Sequence, residues 1–317
     1  QGEGGDHALS HMHDRFYDGA DRDFIGEGYD FSGVGQASNT TWVTMISPQY
    51  FVSAAHYRPA PGNTVTFYEG NTLSPAEAHT YTVDSWGHAV SYDIFDTDVY
   101  VGRLTEPIDP ADNIAWYPVA DLPAGTGAEE DEYIGRQIFV YGLPDRVGLN
   151  TIDGMTDVRV ENGNPTAYTR GFQFDFDDPG GTGVSEAYLM GGDSSAPSFL
   201  VINTVLALVG THYLNQGDPA DGKRSTDSFI PQYLDEIDDA IPDANVFRVF
   251  DATPGDLNLD GAVDAADLAT LGQNWDPTGS DRRWYDGDFD GDGDVDAADL
   301  ATLGQNWAPA GNATPEP

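Results

Sequence analysis

The chain contains no cysteine, which excludes disulfide staples, zinc–thiolate sites and a thiol nucleophile. Lysine is nearly missing: Lys223 stands alone, and with the arginines it makes 13 basic side chains against 54 acidic ones, a formal net charge of −41. A polyanion is bound by clustered lysine and arginine that displace its counterions, so nucleic acid and anionic membrane are excluded as partners. No run approaches the roughly 18–20 apolar residues of a membrane span. What is present is a 317-residue chain, 39% hydrophobic and 12% aromatic, enough for a sizeable core and too apolar for a disordered acidic tail. Its 37 glycines and 20 prolines predict many turns between short strands. Aspartate (42) far outnumbers glutamate (12); short carboxylates on tight loops suit calcium and point outside the cell. The first residue, Gln1, is expected to open a mature chain whose leader has been removed.

The segment DAADLATLGQNW occurs twice, at 264–275 and 296–307, each copy preceded by an alternating acidic stretch, DLNLDGAV from Asp256 and DFDGDGDV from Asp288. Punctuation and composition divide the chain into a polar N-terminal extension (1–28), a large domain (29–250), a repeat module (251–309) and a Pro-rich tail (310–317). The large domain reads as short β-type runs, among them YFVSAAH, DVYVGRL, RQIFVYGLP and VLALVGTHYL, with one helix expected over 229–240 from the spacing of Ile230, Tyr233, Leu234, Ile237 and Ile241. Strands without intervening helices argue a mainly β barrel or sandwich.

Three segments of this domain carry the residue types of serine hydrolysis: SAAHY with His56, DTDVYVGRL with Asp98, and GGDSSAPSFL with Ser194. The chemistry needs a nucleophilic hydroxyl, a base to take its proton, a carboxylate to hold that base, and amide donors for the oxyanion. The order His, Asp, Ser with these flanks resembles the chymotrypsin-like (trypsin superfamily) serine proteases over residues 30 to 242. The resemblance implies two antiparallel β-barrels with a C-terminal helix and a cleft between them. It makes His56, Asp98 and Ser194 the catalytic triad, the amides of Gly192 and Ser194 the oxyanion hole, and Tyr188 and Tyr213 the lining of the specificity pocket. Tyr188 in place of an acidic residue argues against cleavage after lysine or arginine. Ser195 and Ala196 replace two glycines of the family motif, so the loop either tolerates their side chains or tilts. No apolar N-terminus is available to pair with Asp193, which leaves an arginine such as Arg170 as its partner or a loop ordered without one.

The repeats follow the loop template D-x-[DN]-x-D-G, in which alternate oxygens of a tight turn meet one hard cation. The first loop offers Asp256, Asn258, Asp260, the carbonyl of Ala262, Asp264 and Asp267, with Gly261 at the turn; the second offers Asp288, Asp290, Asp292, the carbonyl of Asp294, Asp296 and Asp299, with Gly293. An Asp as last ligand and a single helix after each loop resemble a dockerin, a small all-α module of bacterial extracellular proteins. That resemblance implies two calcium ions and a cohesin-like or self-associating partner. Ala265-Ala266 and Ala297-Ala298 stand where cohesin-binding members carry polar pairs, against a standard cohesin. The repeated faces Leu268, Leu271, Trp275 and Leu300, Leu303, Trp307 are expected to pack on each other as core, the alternative being that they dock a partner. The ending ATPEP resembles the Pro-Glu-Pro signal of sorted bacterial surface proteins.

His7, His11 and His13 offer metal-binding spacing, but the expected state is a mobile extension. Asn39-Thr-Thr and Asn312-Ala-Thr match a glycan-acceptor pattern common by chance. The leading expectation is a secreted or cell-surface serine endopeptidase acting on a peptide or protein substrate, tethered or stabilised by its calcium module. The alternative is a non-catalytic protease-like protein that serves extracellular assembly in a matrix, filament or complex.

Overall fold

A computed structural model describes residues 11–72, 77–92, 95–122, 129–159, 168–176, 185–202, 204–216, 223–241, 248–249, 253–257, 262–279, 282, 286–289 and 294–309 of the chain. Six antiparallel strands close the first barrel: β1 (Val34–Ala37), β2 (Trp42–Met45), β3 (Tyr50–Ala54), β4 (Thr64–Tyr68), β5 (Ala78–Tyr92) and β6 (Phe95–Leu104), in the order β1-β2-β3-β6-β5-β4. Alternation turns Val43, Met45, Phe51, Val65, Phe67, Val83 and Leu104 inward as one buried cluster.

The second half is a nine-stranded sheet. Its strands are β7 (Val119–Ala120), β8 (Gln137–Gly142), β9 (Arg146–Thr151), β10 (Gly154–Arg159), β11 (Tyr168–Asp175), β12 (Pro197–Ile202), β13 (Val205–Gln216), β14 (Arg224–Phe229) and β15 (Arg248–Val249). Its main path runs β10-β11-β14-β13-β12-β8-β9, with β7 on β13 and β15 on β7. The family resemblance implied a second closed barrel; among the described residues no ladder joins β10 to β9. These two edges are nonetheless consecutive, separated only by Ile152 and Asp153, so the sheet must curl until its edges nearly meet, because three peptide links reach no more than about 11 Å. Aromatic residues fill the space between the halves, with Phe31 against Phe139, Tyr141 and Phe199, and Trp42 against Tyr141.

The expected helix over 229–240 begins as a tight 3-10 turn, Ile230–Tyr233, where Pro231 supplies no amide, and continues as α1 (Leu234–Ala240). Ile230, Tyr233, Leu234, Ile237 and Ile241 are all buried, as their spacing required.

Reading the first 28 residues as an extension outside the core is overturned for the described part. The Arg15 guanidinium is fully buried, donating to Tyr141 Oη at 3.1 Å and to the carbonyls of Tyr68 (3.1 Å) and Gly70 (2.6 Å). The Val147 amide donates to the His13 carbonyl at 2.7 Å, Phe24 joins the main core, and His11 pairs with Asp23. A polar segment is buried where its hydrogen bonds are met, and here the β8–β9 hairpin and the end of β4 meet those of Arg15 and His13. His7 lies outside the described residues.

In the C-terminal module the repeats form α2 (Ala265–Gln273) and α3 (Ala297–Gln305). Asp264 and Asp296 cap them, each accepting from the amide two residues on, while Asp267 and Asp299 reach back to the cap amide. Val263, Leu271, Val295 and Leu303 make a small core of their own. The expected packing of the whole repeated faces is corrected: only Leu271 and Leu303 are buried, while Leu268, Trp275, Leu300 and Trp307 are 38–43% exposed.

Candidate functional site

The pairing of β3 with β6 brings two of the three expected triad residues together. Ala54 faces Val99, and the Ala55 amide donates to the Asp98 carbonyl at 2.8 Å. His56, just past the end of β3, then receives the Asp98 side chain twice: its backbone amide donates to Oδ1 at 2.9 Å, and its Nδ1 lies 2.8 Å from Oδ2. Asp98 is fully buried, which pushes its carboxyl above the usual range against the opposing pull of the His56 hydrogen bonds and charge. A carboxylate facing Nδ1 fixes the proton on that nitrogen and leaves Nε2 its lone pair.

Ser194 sits in the turn before β12, half-buried. Gly192 holds φ +102°, a conformation that suits a residue without Cβ. Neither its amide nor that of Ser194 has a protein acceptor among the described residues, whereas the amides of Asp193, Ser195 and Ala196 donate to Met190, His212 and Asp193 carbonyls. The two amides that flank Asp193 are thus without a protein acceptor among the described residues. No hydrogen bond joins Ser194 to His56 among the described residues. Ser195 takes φ +77°, and its Oγ donates to the Tyr57 carbonyl. One side chain therefore ties the residue after Ser194 to the residue after His56.

Asp193 is fully buried, and its partner is Arg146, not Arg170. Arg146 Nη2 lies 2.6 Å from Oδ2, and the amides of Leu143 (2.8 Å) and Met190 (2.7 Å) complete the carboxylate's shell. Arg170 instead holds Glu130 and Asp157. Sequence reasoning missed Arg146 because its proximity comes from the β8–β9 hairpin, in which Arg146 faces Gly142.

A second His–Asp pair lies behind the loop. His212 Nδ1 is 2.8 Å from Asp227 Oδ1 and its Nε2 is 2.6 Å from the Tyr141 carbonyl, both residues fully buried. Burial works to lower the His212 pKa, but the charge and hydrogen bond of Asp227, with Asp193 and the Tyr141 carbonyl, outweigh it and raise the value. Two acceptors for two ring nitrogens describe an imidazolium. The same residue's backbone clamps the loop, its carbonyl accepting from Ser195 and its amide donating to Ala196.

The expected pocket residues differ in placement. Tyr188 is buried edge-on to Phe176, ring centroids 5.0 Å apart. Tyr213 is half-buried, its ring 5.4 Å from that of His56 at 82° and its hydroxyl donating to the Arg159 carbonyl.

In the C-terminal module, carboxylate oxygens of Asp294, Asp296 and Asp299 lie within 4.8 Å of one another. An all-oxygen set suits a hard cation such as calcium. The expectation for Asp294 was a backbone carbonyl ligand; its side chain joins the cluster as well. Asp256 and Asp288, which open the two loops, are buried, and Asp264 and Asp267 keep the same capping geometry as Asp296 and Asp299. Ala262 stands just before α2, whereas Asn258, Asp260, Gly261, Asp290, Asp292 and Gly293 lie outside the described residues. Bound calcium would neutralise the packed carboxylates and hold each loop against its helix.

No curated protein matches the chain. The family model of the Dockerin type I domain matches residues 254–306, across both acidic loops and both helices, so this part of the chain is a calcium-binding dockerin-type module.

Proposed function

We propose that the chain is a serine endopeptidase of chymotrypsin-like type, secreted or held at a cell surface, in which the dockerin-type module provides tethering or assembly. The observation that carries this reading is the His56–Asp98 pair, doubly hydrogen-bonded with Asp98 buried, together with a serine loop whose Gly192 and Ser194 amides have no acceptor among the described residues. In this reading Ser194 Oγ attacks the scissile carbonyl while His56 Nε2 takes its proton. The oxyanion rests on the Gly192 and Ser194 amides. The carbon–nitrogen bond then breaks as His56 returns the proton to the departing amine, and water, activated by the same imidazole, hydrolyses the acyl–Ser194 ester. Asp98 keeps Nδ1 protonated and steadies the imidazolium. The two repeated loops take one calcium ion each, and the exposed Leu268, Trp275, Leu300 and Trp307 face a cohesin-like partner or a second module.

A fluorophosphonate probe tests the reading, since it needs a nucleophilic serine and an oxyanion hole but little side-chain specificity. The expected result is labelling of the calcium-loaded protein that Ser194→Ala and His56→Ala both lose. A folded protein that stays unlabelled favours the second reading, a non-catalytic assembly protein on the same fold. That reading is favoured by the Tyr213 ring set edge-on to His56, and it expects calcium-dependent growth in light scattering.

A further inference from the structure

Three segments converge next to the serine loop. The Leu189 amide donates to Ser225 Oγ at 3.0 Å, Asn215 Nδ2 donates to the Leu189 carbonyl at 3.2 Å, and the Phe176 amide donates to the Lys223 carbonyl at 2.8 Å. They enclose Tyr188, six residues before Ser194, and across its ring lies Lys223, Nζ 4.0 Å from the ring centroid. This is the single lysine of a chain with 54 carboxylate side chains, yet among the described residues no carboxylate pairs with it. Among the described residues the charged groups that act on it are Arg146 and Asp193, which already pair with each other. The negative face of an aromatic ring holds an ammonium in place without neutralising it. Lys223 is thus a half-buried cation, positioned by a ring face and without a carboxylate partner among the described residues.

We propose that Lys223 is the specificity-determining residue of the substrate pocket, and that the pocket takes an acidic side chain on the acyl side of the scissile bond. This rests on the hydrolase reading above and adds the substrate class to it. A substrate carboxylate would pair with the ammonium in a place already partly stripped of water. A neutral amide of the same shape leaves the ammonium unpaired there, and that loss is the source of discrimination. Burial, reinforced by Arg146 and opposed by Asp193, lowers the Lys223 pKa.

The test uses the full calcium-loaded chain and matched fluorogenic peptides that differ only in Glu, Asp, Gln, Leu or Lys before the scissile bond. The expected wild-type kcat/KM is at least about tenfold higher for Glu or Asp than for Gln, the scale of one charged hydrogen bond. Lys223→Gln should bring that ratio close to one, Lys223→Arg should keep it, and Lys223→Glu should turn preference towards the Lys peptide. Probe labelling is measured alongside. A labelled wild type with equal kcat/KM for Glu and Gln, or a Lys223→Gln enzyme that keeps the ratio, overturns the pocket assignment and leaves the hydrolase standing. A folded wild type that the probe does not label removes the hydrolase and the assignment together.

Discussion

Arg146 Nη2 lies 2.6 Å from Asp193 Oδ2, with both side chains buried. With the Leu143 and Met190 amides, this internal guanidinium ties the loop bearing Ser194 to the β8–β9 hairpin.

Removing one partner of a buried pair strands the other charge. Arg146→Met is expected to destabilise the large domain by about 3–5 kcal/mol and to slow probe labelling. Denaturant midpoints at fixed calcium check the first effect, and a change under about 1 kcal/mol would show that water already solvates the pair.

A methyl group at Gly142 tests the same carboxylate sterically. An added Cβ there would lie 2.7 Å from Asp193 Oδ1 and 2.9 Å from its Cγ. Gly142→Ala should therefore displace Asp193 and lower the labelling rate, with about 1–3 kcal/mol of lost stability. A labelling rate equal to wild type would count against the coupling of Asp193 to the serine loop.

His212 gives the large domain a pH dependence of defined sign. Its folded pKa is raised above the ordinary value of 6.5 by Asp227 and its companions. Its contribution is therefore complete below about pH 6.5 and is lost as pH rises through the higher folded value. The thermal midpoint of wild type should fall across that window, and Asp227→Asn, which removes the charge, should flatten the curve. Parallel curves for the two proteins would refute the assignment.

Asp98→Asn leaves a side chain of the same shape but no charge, and an amide facing Nδ1 favours the wrong tautomer. Probe labelling should drop by about 10³–10⁴-fold while the folded state persists. A rate within tenfold of wild type would mean that His56 is not the base.

How far the chain could be read beforehand depended on how local each cause was. His56, Asp98 and Ser194 stood out because each carries its own flanking pattern, His56 just past β3, Asp98 within β6 and Ser194 in the turn before β12. The helices α2 and α3 were legible because cap, apolar spacing and repeat agree within twelve residues. Arg146 and the buried Arg15 were not, since their partners lie 47 and 126 positions away and meet them only through strand pairing. Lys223 carried no signal beyond its rarity until Tyr188 came to rest against it.

Chelation should separate the two halves of the molecule. With calcium removed, Asp294, Asp296 and Asp299 repel one another, and the four-residue core of Val263, Leu271, Val295 and Leu303 is too small to hold the module. The expected outcome is loss of the helical dichroism of α2 and α3 and protease cleavage within 254–306, with the β-sheet signal retained. An unchanged spectrum and cleavage pattern would exclude calcium-dependent folding.

The inward turn of Arg15 and Arg146 removes positive charge from the exterior of a chain that has only 13 basic residues against 54 acidic ones. Such a body moves through water as a compact polyelectrolyte wrapped in mobile cations. The reach of its field is about 30 Å in 0.01 M salt and about 8 Å at 0.15 M, so how closely two copies approach is set by the brine around them before any surface shape is felt.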